Sequence, residues 1–421
     1  MTMSSIRKKV IKRYERLNHD SEYQDIGTLI KERRKELNLT QETISNGICS
    51  ISYLSKIENN QISPNEFFVR EIMEKMEVED SIYRKTLEDK NYLEKMIDHI
   101  FYNNQKLSED IYNDIEDCKH NLVLNIAKLG YIVHHNMWDD DQYVMMLENL
   151  VQNMDDYELK AYLLFAIMYN VSNNMFKNAY DLYLTFSHIP LVDDKIDALG
   201  LEYAYMIFQE LKICLNSFSE YETALALYLK HSNYKRATSL RLLNIESLLY
   251  NDHNKALEEL EKISVNILDE YDYDRYHLAK ARIVFKKNSY KESAMILSNI
   301  GEKSFFYYDK MILLYEVCLK EEDEDMISQI SKIIDSLPHD KTKIKSKIYY
   351  HYLLQDSRQD QKEYLREIAI PFSVKVGDIN SLAKYTDDIM NVCIDASRYK
   401  EAMMHYRKYK KEVEKIYKLS S

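Results

Sequence analysis

Glycine and proline are nearly missing: 6 Gly and 4 Pro in 421 residues, where the two together usually supply ~12% of a chain. Hairpins and sheets depend on Gly, Asn-Gly and Pro at their turns, whereas helix interiors exclude both residues. The scarcity excludes a sheet-rich fold and predicts an all-α chain. Cysteine is sparse too, with 5 residues at positions 49, 118, 214, 318 and 393 and no Cys-x-x-Cys. An odd, widely spaced set excludes a disulfide framework and a zinc ribbon, and suits reduced thiols in the cytosol. Long apolar runs are lacking. The strongest, from Ala161 to Met168, is too short to span a bilayer. The basic N-terminus MTMSSIRKKVIKRYERLNHD lacks the apolar core of a secretory signal. The expectation is a cytoplasmic chain that does not contact membrane.

Catalytic signatures are absent as well. There is no Walker loop, no Gly-x-Ser-x-Gly, no His-Glu-x-x-His and no glycine-rich dinucleotide turn, so neither enzyme activity nor a cofactor is expected. The 12 histidines are scattered; His134 and His135, beside Trp138, read as chance neighbours, and no metal is expected. The run Glu321 to Asp325 lacks the pattern of a hard-cation loop. It reads as an inter-helix turn whose carboxylates favour the next helix's N-terminus.

What is present is a chain 45% hydrophobic and 30% charged, enough apolar surface to fold and enough charge for long wet helix faces. Residues 1–62 carry a net charge of +3, and the remainder −15. A basic head on an acidic body suits a head that binds a polyanion and a body that phosphates repel. Four parts are expected: a basic extension (1–24), a helix-turn-helix domain (25–80), a linker helix (81–103) and a repeat domain (104–421).

Within the head, Ile26, Leu29, Ile30 and Leu37 are spaced for one helix face. Thr40 then caps a helix carrying Gln41, Ile44 and Ile48, and after Gly47, Ser50 caps a third with Leu54 and Ile57 inward. Ser63-Pro64-Asn65-Glu66 supplies an N-cap, a proline at N1 and a capping-box glutamate for a fourth. Two short helices so placed form a helix-turn-helix whose second helix can enter the major groove.

The stretch LTQETISNGICSISYLSKIENNQISP resembles the phage-repressor-like (Xre) helix-turn-helix. Its turn is one residue shorter than usual and Ile48-Cys49 precedes the recognition helix, as in the PlcR and Rgg type of regulator. The resemblance implies that Gln41 bonds a phosphate and that Ile51, Ser52 and Lys56 face base edges. It also implies that Ser50, Asn59 and Asn60 touch the backbone and that Arg34 and Glu58 form an internal ion pair. Ser and Lys can hydrogen-bond bases and Ile51 can meet a thymine methyl; Ile51 replaces the polar residue usual there. Tyr53 is divided between DNA contact and packing. The basic residues Arg7, Lys8, Lys9, Lys12, Arg13 and Arg16 form either an arm toward phosphates or a solvated helix, the latter being the commoner fate of charge runs.

Beyond residue 81 a short motif recurs: Phe176-Lys177-Asn178-Ala179, Tyr221-Glu222-Thr223-Ala224, Asn254-Lys255-Ala256, Tyr290-Lys291-Glu292-Ser293 and Tyr399-Lys400-Glu401-Ala402. Each is expected to open the second helix of a pair, with the small residue at the closest approach. The motif is similar to the tetratricopeptide repeat, of period ~34, and predicts a right-handed helical solenoid of about six to eight repeats. A helix-turn-helix followed by such repeats resembles the Rap, Rgg, NprR, PlcR and PrgX quorum-sensing regulators.

That resemblance implies a double-stranded palindromic operator, a homodimer and a short signalling peptide clamped by asparagines of inner helices. The matching positions are Asn170, Asn244 and Asn391, with Tyr205, Arg241 and Tyr250 along the same groove; each asparagine also reads as an ordinary surface or cap residue. An asparagine amide can pair with both a peptide C=O and an N–H. The competing function is a regulator whose repeats bind a protein partner or only mediate assembly. A third reading is a scaffold whose head no longer binds DNA.

Overall fold

The computed structural model describes residues 6, 9–10, 24–59, 61–62, 66–76, 80–102, 122–135, 137, 142–151, 154–212, 214–249, 252–338, 343–355 and 357–418, and every regular element among them is helical. They form two compact units, residues 1–172 with 178–203 and residues 173–177 with 204–421.

The first unit begins with α1 (Gln24–Glu36), α2 (Gln41–Ser45), α3 (Ile51–Glu58) and α4 (Glu66–Lys75). Thr40 caps α2 by accepting the Thr43 N–H at 3.1 Å, and Ser50 caps α3 by accepting that of Tyr53 at 3.1 Å, satisfying donors that a helix start leaves open. Gly47 turns the chain between them at φ +81°, a conformation that favours glycine. The four helices close over Ile30, Ile44, Leu54, Ile57, Val69, Ile72, Met73 and Met76. Leu37 departs from its expected inward place and is exposed. The helix stops at Glu36, Asn38 turns at φ 52°, and Leu39 packs against the core instead. The start of α4 at Ser63-Pro64 lies outside the described residues.

Next come α5 (Asp80–Tyr102), α6 (Leu122–His134), α7 (Gln142–Glu148), α8 (Asp156–Ser172), α9 (Phe176–Phe186) and α10 (Asp194–Glu210). Expected as a linker, α5 is core in its second half, with Leu93, Met96, Ile97, Ile100 and Phe101 buried. Nearly every face of α8 is buried, as a helix apolar all round requires. Lys160 within it pairs with Asp197 at 2.6 Å and donates to the Pro190 carbonyl at 2.9 Å, partners without which a buried ammonium would be costly. Gly200 lets the Phe186 ring rest on α10, since a Cβ there would stand 2.4 Å from it.

The second unit continues with α11 (Cys214–Lys230), α12 (Tyr234–Leu248), α13 (His253–Glu261), α14 (Glu270–Lys286), α15 (Tyr290–Leu297), α16 (Tyr307–Glu321), α17 (Glu324–Ser336), α18 (Ile344–Leu353), α19 (Arg358–Tyr364), α20 (Ile370–Val376), α21 (Ile379–Asp395) and α22 (Tyr399–Lys418). Its cores overlap in succession. One joins α12, α13 and α14, the next α14, α15 and α16, the next α16, α17 and α18. That chain of nearest-neighbour cores is the physics of a helical repeat. The small residues Ala224, Ala256, Ser293 and Ala402 are buried where helices approach.

Tyr221 does not open its helix as expected. No breaker precedes it, so α11 starts seven residues earlier at Cys214. Left-handed turn positions are filled by Ser232, Asn288, Glu322 and Ser397, with Gly377 the glycine among them, which explains how repeats form with so little glycine. The acidic run is the turn it was read as: Glu322 sits at φ 57° and Asp323 caps α17, accepting the Met326 N–H at 3.0 Å. Between α19 and α20 the helix widens into a π-turn over Leu365–Ala369; Pro371, without an N–H, follows directly and cannot bond back in the α pattern.

Candidate nucleic-acid interface and effector site

The head's interface is built on a carboxylate. Arg34 grips Glu58 in a fork, Nε to Oε1 at 2.6 Å and Nη2 to Oε2 at 2.9 Å, and donates Nη1 to the Leu39 carbonyl at 2.9 Å. The ion pair expected from the resemblance is present. Gln41 adds its Nε2 to Glu58 Oε2 at 2.8 Å, so α1, α2 and α3 meet on one buried side chain. Gln41 therefore orients α3 from within, and its other N–H remains to donate to a phosphate.

With Leu54, Ile57 and Glu58 turned inward, α3 leaves Ile51, Ser52 and Lys56 exposed, the three residues expected to face bases. Ser50 spends an oxygen lone pair on its cap and keeps its hydroxyl proton to donate. Asn59 is held on both sides, donating to the Ser55 carbonyl at 2.8 Å and accepting from Lys31 Nζ at 2.9 Å. Tyr53 is half-buried and packs edge-on to Phe68, centroids 5.3 Å apart. Asn60 lies outside the described residues. Of the basic extension, Lys9 is described: it is half-buried and pairs with the buried Glu148 at 3.1 Å and with Asn149 Oδ1 at 3.1 Å. The other basic residues of that segment lie outside the described residues.

In the second unit, Tyr205 of α10 donates its hydroxyl to Asn244 Oδ1 of α12 at 2.7 Å. Burial pushes the Tyr205 phenol up to about 12, which keeps it a donor. Tyr221 of α11 stacks at a tilt on Tyr205, centroids 5.4 Å apart, and its hydroxyl hydrogen-bonds the Asn244 side chain. Burial raises the Tyr221 phenol too, against the nearby charge of exposed Arg241. Three of the expected residues, Tyr205, Arg241 and Asn244, thus come together, and Asn244 keeps an acceptor lone pair and an N–H beyond the two phenols.

Two of the remaining expected residues are described, each by its own surroundings. Asn170, in the first unit, is 7% exposed and donates to the Ala166 carbonyl of its own helix at 2.7 Å. Asn391 is exposed on α21. Tyr250 lies outside the described residues.

Sequence reasoning missed Tyr221, read as repeat packing, and Gln209, whose Oε1 accepts from Ser247 of α12. Only their place in second or facing helices marked them.

Comparison with known proteins agrees with this geometry. The family model described as "HTH_3: Helix-turn-helix" matches residues 30–81, so the head is a helix-turn-helix DNA-binding domain. No curated protein matches the chain. Among solved structures, the apo form of the quorum sensor NprR from B. thuringiensis is similar at 17% identity and a TM-score of 0.54, covering 77% of this chain and 98% of that one. NprR in complex with its cognate peptide NprX is similar at 14% identity and 0.62, covering 76% and 96%. A Rap protein complexed with Competence and Sporulation Factor is similar at 14% identity and 0.63, covering 80% and 99%. At such identities the likeness establishes the fold. The chain thus joins an Xre-type helix-turn-helix head to a helical-repeat body with a fold like that of NprR and Rap.

Proposed function

We propose that the chain is a sequence-specific transcription regulator of the cytoplasm that binds a palindromic DNA operator as a homodimer, under the control of a short peptide bound in its repeats. The observation that carries the DNA reading is the exposed row Ile51, Ser52 and Lys56 on a helix fixed from beneath by Arg34, Gln41 and Glu58. One such head covers a half-site, so two heads on a symmetric operator supply the affinity.

The peptide reading is supported by the Tyr205, Tyr221 and Asn244 group, which offers a hydrogen-bonding edge beside the cationic Arg241. It is also supported by the two most alike of these folds, each solved with the peptide or factor its description names. Selection of operator sequences from random duplex DNA, followed by competition with non-specific DNA, tests the reading. A selected palindrome bound at least ~10³-fold more tightly than random DNA supports it, and binding that differs only with salt opposes it.

A second reading has one observation in its favour. The Asn170 amide spends one N–H on its own helix, which leaves it less to offer a peptide and suits repeats that hold a protein partner or only assemble. Operator affinity indifferent to every peptide would favour it.

A further inference from the structure

Two sets of three metal-ligating side chains occur among the described residues, each with its donor atoms within 4.8 Å of one another: His99, His134 and His135, and Cys393, Glu401 and His405. In the second set a cation is already in place, with Lys362 Nζ 2.5 Å from Glu401. A divalent ion would have to displace it. The first set is three imidazoles. We propose that His99, His134 and His135 form a binding site for a divalent transition-metal ion of the zinc class.

The site joins two helices. His99 lies in the buried half of α5 and is 0% exposed, while His134 and His135 are half-buried at the end of α6. Consecutive residues on a continuing helix point about 100° apart, so adjacent histidines ordinarily diverge. Here α6 ends at His134, and the Met137 N–H turns back to the Ile132 carbonyl at 3.0 Å. The curl brings both rings to His99: centroids are 5.0 Å apart for His134 and 5.7 Å for His135, and the adjacent pair are 5.1 Å apart. Three apolar rings would fill this space without desolvating ring nitrogens, yet His135 Nε2 is buried with no hydrogen-bond partner among the described residues.

The chemistry fits one class of ion. Neutral imidazole is the commonest metal ligand, and it suits zinc, copper, nickel and iron, whereas magnesium and calcium take oxygen. Three histidines are also the donor set of zinc sites that keep a fourth position for water. Zn–N bonds of ~2.0 Å place tetrahedral nitrogens about 3.3 Å apart, a distance that ring rotation can reach from within 4.8 Å. A bound ion would pin α5, the helix that follows the head, to α6.

The test titrates Co²⁺ into tag-free full-length protein. The expected result is a saturable visible d–d band at one ion per chain, displaced by Zn²⁺, without a thiolate charge-transfer band. Because His99 is fully buried and its loss endangers folding, the deciding variants are His134→Gln and His135→Gln, with helicity checked by circular dichroism. Each should weaken Co²⁺ binding by more than about tenfold, since even outer-shell changes cost ~10–100-fold. Cys393→Ser should titrate like wild type. No saturable band, a thiolate band lost in Cys393→Ser, or folded histidine variants that bind as wild type would each overturn the site.

Discussion

Gln41 and Arg34 meet on one carboxylate, Glu58, the first through Nε2 at 2.8 Å and the second through a fork at 2.6 and 2.9 Å. Because Glu58 is buried, removing it leaves Arg34 without its counter-charge, and breaking a buried pair costs about 3–5 kcal/mol. Glu58→Ala should therefore loosen the head while the repeats stay folded. Hydrogen exchange is expected to accelerate in α1, α2 and α3 and to stay unchanged in α12 to α18. Unaltered exchange in the head would refute this account of its stability.

The exposed face of α3 leads to the second prediction. Ser52→Ala and Lys56→Ala remove the groups proposed to meet bases, each worth about 1–3 kcal/mol if its contact is specific. Together with Gln41→Ala they should abolish specific operator binding with helicity intact, as read by footprinting and circular dichroism. A triple variant with the wild-type footprint would remove α3 from the interface.

Assembly follows from the half-site argument. The repeats and α22, whose Tyr399, Met403, Met404 and Tyr406 are exposed, are the expected dimer contact. Light scattering at micromolar concentration should give twice the chain mass, with or without DNA. A monomer under both conditions would contradict the palindromic operator.

Asp309 ties α16 to α18, accepting from Lys343 Nζ and from Ser346 Oγ, each at 2.7 Å. Burial pushes its carboxyl up, but the Lys343 and Arg282 charges and the two hydrogen bonds outweigh it and hold the group below the usual carboxylate range. A depressed folded pKa contributes stability that is present above the unfolded value of about 3.9 and lost as pH falls through the folded value. Urea midpoints of the wild type should fall with pH through that acid window, and those of Asp309→Asn should fall less. Equal slopes would show that the clip carries no charge energy.

Much of this was legible because caps and periodicity are local. Thr40, Ser50 and the acidic run at 321–325 announce their turns by side-chain chemistry alone, and the structure uses them so. Leu37 and Tyr221 were misplaced because helix ends depend on tertiary competition: Leu39 took the core position of one, and α11 extended upstream of the other. His99 was invisible beside His134 and His135, since 35 residues separate it from the pair in sequence and only packing of α5 on α6 unites them. The buried turn of Asn170 onto Ala166 is likewise a rotamer choice that no spacing reveals.

The most direct test of peptide control is operator affinity titrated with short synthetic peptides, taken first from any small secreted reading frame beside the gene. Coupling between two sites typically spans about 5–150-fold, and it exists only if the peptide binds the two states unequally. The account predicts that one peptide shifts wild-type operator affinity within that range. Asn244→Ala and Asn170→Ala should need more of it, with basal DNA binding preserved. If both variants respond at wild-type peptide concentrations, these asparagines are not the clamp; if no peptide changes wild-type affinity, peptide control is contradicted.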